Sequence, residues 1–444
     1  MNLRRWLRPG IGVKRWLAMV FLGELLLALA LALLLRQIYR EVDVEGPLQA
    51  VIYLATLQFL PYGLRGLVLA AAGLGLFAFG SIRLVRAVTD PLRREPGDRA
   101  LVEVIYQKRF LARGPNIVAI GGGTGLSTLL RGLKEHTSNL TAIVTMADDG
   151  GSSGALRTVL GIPPVGDIRN CLVALADVEP VMGPLLQYRF PDDSERGTAA
   201  PPDTLAGHAM GNLLIAAMAA IEGGDFEEGV REMNRVLAVR GQVLPVSPTP
   251  ITLHAEVGGG ELLVGQSRIT RAQAVERVWI EPTDVRPSTD ALEAIAAADV
   301  IILGPGSLFT SLLPALLVPG VADAVAAATA LRIFVCNVAT QPGETGDLDL
   351  ADHVEALVRH TRPELVDVVL ANSGFDARVP EGWAGRAVQP RWPPASASPR
   401  LVLEDVVDPA NAHHHDPDRL ATSIIRLVER ESPRHRRGRA ARTA

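Results

Sequence analysis

Apolar positions fall into two regimes along the chain. Residues 16–35 (WLAMVFLGELLLALALALLL) are apolar apart from Glu24, and roughly 20 such residues let a helix cross a hydrocarbon layer. A second run covers residues 62–82, with Arg65 near its start, where a long side chain can reach the interface. Between them, residues 48–60 are apolar but interrupted by Gln49 and Gln58 and closed by Pro61. They suit either a surface-lying helix or the lower half of a long second span. The Ala-x-Ala triplets between Ala28 and Ala32 lie inside the first run rather than after it, which favours an uncleaved hairpin over a signal peptide. Arg4, Arg5, Arg8, Lys14 and Arg15 precede the pair of spans, and Arg83, Arg86, Arg93 and Arg94 follow it. The intervening loop holds only Arg36 and Arg40. By the positive-inside rule both ends face the cytoplasm, so a multi-pass anchor in the cytoplasmic membrane with a cytoplasmic main domain is expected. Glu24 and Arg65 read either as a pair within the bilayer or as single tolerated charges.

After residue 90 the pattern changes. Residues 91–114 contain Pro-Gly and a short amphipathic stretch (Leu101, Val102, Val104, Ile105, Phe110, Leu111), expected as a linker with a docking helix. Residues 116–120 then form a short β-rich run. GGGTG follows, then Leu126, Leu129, Leu130 and Leu133 at helical spacing, then an apolar strand over 140–146. A strand, glycine turn, helix and strand within about 30 residues make a βαβ unit and imply a parallel sheet. Strand-like runs return at 299–303, 333–338 and 365–370, with a helix over 352–360. The shorter alternating runs between 243 and 281 suit an antiparallel insertion or edge. The proline-rich stretch 389–399 is a loop, because proline cannot donate to a sheet ladder, and residues 420–427 form a last helix. The fold class expected is α/β: a Rossmann-like, mostly parallel sheet flanked by helices, preceded by an N-terminal transmembrane helical hairpin. Its divisions are an anchor (1–90), the linker (91–114), the ligand-binding domain (115–430) and a basic tail (431–444) expected to be disordered.

Composition sharpens this picture. The chain has 444 residues, 48% of them hydrophobic and 21% charged, enough apolar material for a sizeable core. A mean hydropathy of +0.22 is high for a purely soluble protein, and the excess sits largely in the first 85 residues. A net charge of −4 offers no electrostatic case for nucleic acid. The two cysteines, Cys171 and Cys336, lie in apolar stretches without metal-ligand spacing and read as reduced core residues.

The candidate chemistry sits at predicted strand ends. Gly121, Gly122, Gly123, Thr124 and Gly125 follow the first strand. Glycines there remove the Cβ atoms that would hold a phosphate away from backbone N–H groups, and the helix start adds its positive dipole end. Leu126 stands where a dinucleotide fingerprint has its third glycine, and no Gly-Lys-Ser/Thr follows, so neither standard nucleotide motif is present. Asp148, Asp149, Gly150, Gly151, Ser152 and Ser153 follow the next strand. The paired acids are candidates for Mg²⁺ or ribose hydroxyls, and the serines and glycines for phosphate. Asp167, Arg169 and Asn170 open a helix that Asp167 is placed to cap; Arg169 has phosphate, Asp167 and Asp177 as alternative partners. His208 and Asn212 lie one turn apart at another helix start. Gly304, Gly306 and Ser307 form a second candidate anion cradle. Asn337 and Gln341 follow a further strand. His413, His414 and His415 invite a metal reading, but Asp416-Pro417 looks like an N-cap followed by proline at the first helical position. Several polar loops at strand ends favour one converging site.

In this order, GGGTGLS (121–127), DDGGSSG (148–154), GDIRN (166–170), GHAMGN (207–212), GPGSLFTS (304–311) and TQPGET (340–345) resemble the CofD/YvcK family over roughly residues 115–427. One branch of that family is an Mg²⁺-dependent 2-phospho-L-lactate transferase of deazaflavin-cofactor synthesis. The other, YvcK-like branch binds UDP-sugars such as UDP-N-acetylglucosamine and affects cell shape and growth on gluconeogenic carbon. The motif details look more like the second. The resemblance implies that Gly121–Gly125, Asp148, Asp149, Asn212 and Ser307 line a nucleotide-sugar pocket. The chain departs from the usual soluble form by its hairpin, and carries His414-His415-Asp416 where relatives have Arg-His-Asp. The resemblance thus implies a non-catalytic, UDP-sugar-responsive regulator at the membrane, with homo-oligomerisation open. The transferase, with Mg²⁺ as cofactor, is the alternative. A dehydrogenase is disfavoured by the missing third glycine.

Overall fold

The computed structural model describes residues 111–431 apart from 178, 192–204, 273, 383 and 394–398, together with scattered positions between 24 and 79. The expected hairpin, most of the linker and the basic tail fall largely outside the described residues. Among the described residues no single helix is long and apolar enough to cross a membrane. The helix pair Leu308–Leu316 and Val321–Ala327 is apolar enough together but bends by 77°, and the first of the two lies in the protein core.

Seven parallel strands form the centre: β1 (Ile117–Gly121), β2 (Leu140–Val144), β3 (Gln242–Pro245), β7 (Val300–Leu303), β8 (Leu331–Val335), β9 (Val368–Asn372) and β10 (Arg400–Glu404). Their order is β10-β9-β8-β7-β1-β2-β3, and every neighbouring pair is parallel. β1, β7 and β9 are buried along their whole length, as continuous apolar runs require when helices cover both faces. From β1 the chain winds outward through β2 and β3, and from β7 it winds the other way. The topological switch therefore lies between β1 and β7, where open α/β sheets place their ligands. The parallel sheet is the one expected, with strand limits displaced by two or three residues. β8 starts two residues early because Arg332 is held there by Asp367, its Nε 2.9 Å from Oδ2.

Residues 252–281 form the expected antiparallel insertion, a three-stranded sheet ordered β5 (Glu261–Val264), β4 (Thr252–Val257), β6 (Val275–Glu281). Residues 242–245 belong instead to the edge of the main sheet, a position that tolerates Pro245. Asn234 closes that edge by accepting from Val243 N–H at 2.9 Å and donating to its carbonyl at 3.0 Å. His413–His415 lie on a short strand (Asn411–His415), so successive side chains point to opposite faces and cannot converge on one ion. Asp416 caps the final helix, Pro417–Glu431, accepting from the amides of Asp418 and Arg419 at 3.0 and 2.9 Å.

Candidate functional site

Four helices begin on the carboxyl side of the sheet without a side-chain cap: α1 (Gly123–Leu133), α2 (Gly151–Leu160), α3 (Gly166–Leu175) and α5 (Met210–Ile221), the short helix Glu179–Gln187 being α4. Some of their first-turn N–H groups are bonded within the protein, Gly123 by Asp167, Gly166 by Ser153 and Met210 by the Tyr188 carbonyl, and the remainder have the usual basis of anion binding. The glycines around α1 are also required by the protein itself. A Cβ on Gly122 would stand 2.5 Å from Asp167 Oδ2, and one on Gly125 would stand 2.7 Å from the Pro305 carbonyl oxygen. The loops after β1 and β7 thus touch across the topological switch, which only a bare backbone permits. Thr124 is exposed at the start of α1.

Ser152 joins α2 to α5. Its Oγ accepts from Asn212 Nδ2 at 3.0 Å and from Ala209 N–H at 3.3 Å, and lies 3.1 Å from His208 Nδ1. With both lone pairs engaged, the hydroxyl proton goes to His208, leaving Nδ1 the acceptor and the proton of a neutral ring on Nε2. Asn212 Oδ1 in turn accepts from Arg169 Nη1 at 3.0 Å, which ties α3 into the same cluster. Arg169 is only 8% exposed. Its second bond, 3.2 Å to Asn170 Oδ1, also goes to a neutral amide, and its buried Nε has no hydrogen-bond partner. Burial and the nearby Arg189 guanidinium lower its pKa. Of the expected alternatives, Asp177 pairs with Arg240 instead, and Asp167 acts on Arg169 only through its charge. A guanidinium held by amides rather than a carboxylate can still receive an anion.

The acids divide differently from the expectation. Asp148 Oδ1 accepts from Gly150 N–H at 3.0 Å. Its pKa is raised chiefly by burial and in smaller part by Asp149. Ser153 accepts from the amides of Val165 and Gly166 at 3.0 and 3.1 Å, leaving its hydroxyl proton for Asp148. Asp149 reaches the antiparallel insertion, where its Oδ1 receives both Ser267 N–H at 2.8 Å and Ser267 Oγ at 2.7 Å. Oδ1 is thus engaged by Ser267, and Oδ2 remains for a further partner. Asp167 does not cap its own helix; the N-cap is Val165. It is half-buried and bonded to the Gly123 amide, and burial followed by the Asp148 charge pushes it up to about 6. Two half-buried acids whose charges oppose each other are relieved by a proton or a cation. Asp148 shares its electrostatic surroundings with both Asp149 and Asp167, a set of acids that a divalent ion completed by ligand oxygens and water would relieve. No cluster of three or more His, Cys, Asp or Glu suited to a metal occurs among the described residues.

The second candidate cradle makes several bonds within the protein. Asn337 braces the turn after β7, accepting from Gly306 N–H at 3.1 Å and donating to its carbonyl at 2.8 Å. Gln341 Nε2 donates to Ser307 Oγ at 2.8 Å. The helix start beyond Ser307 receives the carboxylate of Glu344: Thr310 Oγ1 donates to it at 2.7 Å, and the Phe309 and Thr310 amides also bond it. Burial to 3% exposure raises the Glu344 pKa. Glu344 therefore meets the helix start at residues 309–310, while Gly306 and Ser307 are engaged by Asn337 and Gln341. Glu344, Ser267 and Arg189 were not singled out by sequence reasoning. An acid in the loop after β8 was the available signal for the first. His415 is buried below this region, its Nε2 3.2 Å from the Cys336 carbonyl.

A family profile described as 2-phospho-L-lactate transferase CofD matches residues 117–385. A relative named putative gluconeogenesis factor from Nostoc is 42% identical over 435 residues, covering 95% of this chain and 92% of its own. The gluconeogenesis factor of Bacillus subtilis is 48% identical over 264 residues, covering 59% of this chain and 80% of its own. Among solved structures, a member of the UPF0052 family from Bacillus halodurans is 40% identical, with a TM-score of 0.63, covering 70% of this chain and 99% of that one. An alignment over 95% of the chain must include most of residues 1–110, so the N-terminal segment is shared with at least the Nostoc relative and is not a departure peculiar to this chain. The fold, the family profile and the relatives agree that the chain belongs to the CofD/YvcK family of gluconeogenesis factors.

Proposed function

We propose that this protein binds a nucleotide sugar of the UDP-N-acetylglucosamine type and acts as a non-catalytic regulator linked to cell shape and gluconeogenic growth. The observation that carries this reading is the junction of three helix starts, α2, α3 and α5, through Ser152, Asn212 and Arg169, beside the glycine turn into α1. Such a junction offers outward N–H groups and a buried guanidinium with no carboxylate partner, suited to a diphosphate. Asp148, Asp149 and Asp167 beside it would hold Mg²⁺, which when bound neutralises phosphate charge. Arg169 orients the anion and His208 presents its ring edge for a hydroxyl. The names of the relatives support the regulatory role. The alternative, transfer of a phospholactyl group, is supported by the profile's description and by the same acids.

Residues 16–82 are proposed to tether the domain to the cytoplasmic membrane; alkaline extraction of membranes separates a spanning segment from a peripheral one. Ligand binding is tested by thermal shift and calorimetry with UDP-N-acetylglucosamine, UDP and GDP, each with and without Mg²⁺. At a hundredfold excess over the Kd, binding stabilises by about 2.7 kcal/mol. No shift at millimolar UDP-sugar would remove the reading. A response to the guanosine nucleotide alone, with turnover of an activated phospholactate donor, would favour the transferase.

A further inference from the structure

The two edges of the main sheet are treated differently. At β3 the amide of Asn234 occupies both the N–H and the carbonyl of Val243. At β10 nothing comparable occurs. Arg400 N–H bonds inward to the Asp367 carbonyl at 2.9 Å, and the Glu404 carbonyl accepts from Ser373 N–H at 2.9 Å. Residues 400, 402 and 404 thus direct their backbone groups at β9, and Leu401 and Leu403 direct theirs outward by alternation. Among the described residues no partner bonds those outward groups. The strand reads Arg-Leu-Val-Leu-Glu, without the lysine, internal proline or bulge that usually guards an open edge, and Leu403 is 46% exposed.

We propose that this edge pairs with the same edge of a second copy of the chain. The two β10 strands run antiparallel about a two-fold axis at Val402, joining the seven-stranded sheets into one. This register is the self-complementary one. It sets Leu401 opposite Leu403 of the second copy as hydrogen-bonded pairs, using the outward N–H and carbonyl groups. It sets Arg400 opposite Glu404 of the second copy at a non-hydrogen-bonded position, where facing side chains come closest. Any shift of register loses both charge pairs. Arg400 also bonds Glu431 at 2.9 Å, but the two side chains are 50% and 37% exposed, a weak pair that does not hold Arg400 from a new partner. Pro399, the next outward position, has no N–H to donate and ends the ladder there. An isologous contact of this kind uses up the edge and closes as a dimer instead of growing into a filament.

Full-length purified protein is tested by light scattering and by crosslinking. Non-hydrogen-bonded partners lie about 4.5 Å apart at Cα, within disulfide reach. Val402→Cys is expected to form a covalent dimer on mild oxidation, and Leu401→Cys to form far less. The native Cys171 and Cys336 are buried and stay silent. Arg400→Glu and Glu404→Arg each place like charges across both symmetric pairs and weaken self-association about tenfold, whereas the double swap restores it. A wild type that is monomeric at micromolar concentration overturns the proposal. So does a dimer indifferent to both single swaps in which Val402→Cys fails to crosslink.

Discussion

Lowering the pH should destabilise this protein through His415. The ring is fully buried, and burial holds its pKa down to about 4 from an ordinary 6.5, with the Cys336 carbonyl opposing that shift and the neighbouring His414 adding to it. The neutral ring donates Nε2–H to the Cys336 carbonyl across 3.2 Å. The unfolded chain takes up a proton near pH 6.5 and the folded one only near pH 4, so stability is present above 6.5 and is lost as the pH falls between these values. At pH 5 the unfolded ring is almost fully protonated and the folded one hardly at all. A difference of about 1.5 logarithmic units in proton uptake costs about 2 kcal/mol, rising to about 3 kcal/mol by pH 4. His415→Gln keeps a donor for Cys336 and removes the titration. Urea unfolding of both proteins between pH 7.5 and 5 should show wild type losing about 2 kcal/mol more than the variant. His353 and His360, also shifted down by burial, contribute equally to both proteins and cancel. A variant that keeps the whole wild-type pH slope would refute the reasoning.

Other outcomes follow from the site. Gly125→Ala drives a methyl against the Pro305 backbone and should cost about 1–3 kcal/mol in denaturant unfolding, as overpacking does. Asn212→Ala strips Ser152 and Arg169 of a buried partner. It should lower stability by about 1–3 kcal/mol and weaken UDP-sugar binding at least tenfold by calorimetry, with Asn170→Ala affecting binding less. Glu344→Gln keeps acceptor capacity at the helix start and should cost under about 1 kcal/mol, whereas Glu344→Ala leaves Thr310 and two amides unmet and costs about 2–3 kcal/mol. Equal losses in the two Glu344 variants, read from thermal melts, would exclude the capping role.

Much of the architecture is local in origin. Runs such as IVAIG and VIIL can only be strands buried on both faces, and the glycine turn before the leucines of α1 marks a strand-to-helix crossing. The family motifs were likewise visible as contiguous residues. Partnerships between loops were not. Asp149 beside Asp148 looked like half of a metal pair, and Ser267, 118 residues away, engages its Oδ1. Asp167 looked like a cap of its own helix and instead bonds the Gly123 amide. Nor was it visible that Glu344, 34 residues beyond Thr310, bonds the helix start that follows the Gly304–Ser307 turn.

The division has a physical cause. Backbone state is set over a few residues by periodicity, side-chain branching and glycine or proline, so the elements and their order along the chain are carried by the sequence alone. Which helix starts meet depends on strand order across the sheet, and that order is settled only when the crossovers pack and the core closes. Ser152 and Asn212, 60 residues apart, become neighbours through that closure. The cost of leaving a buried hydroxyl, amide or guanidinium unpaired then selects the one arrangement in which they satisfy each other.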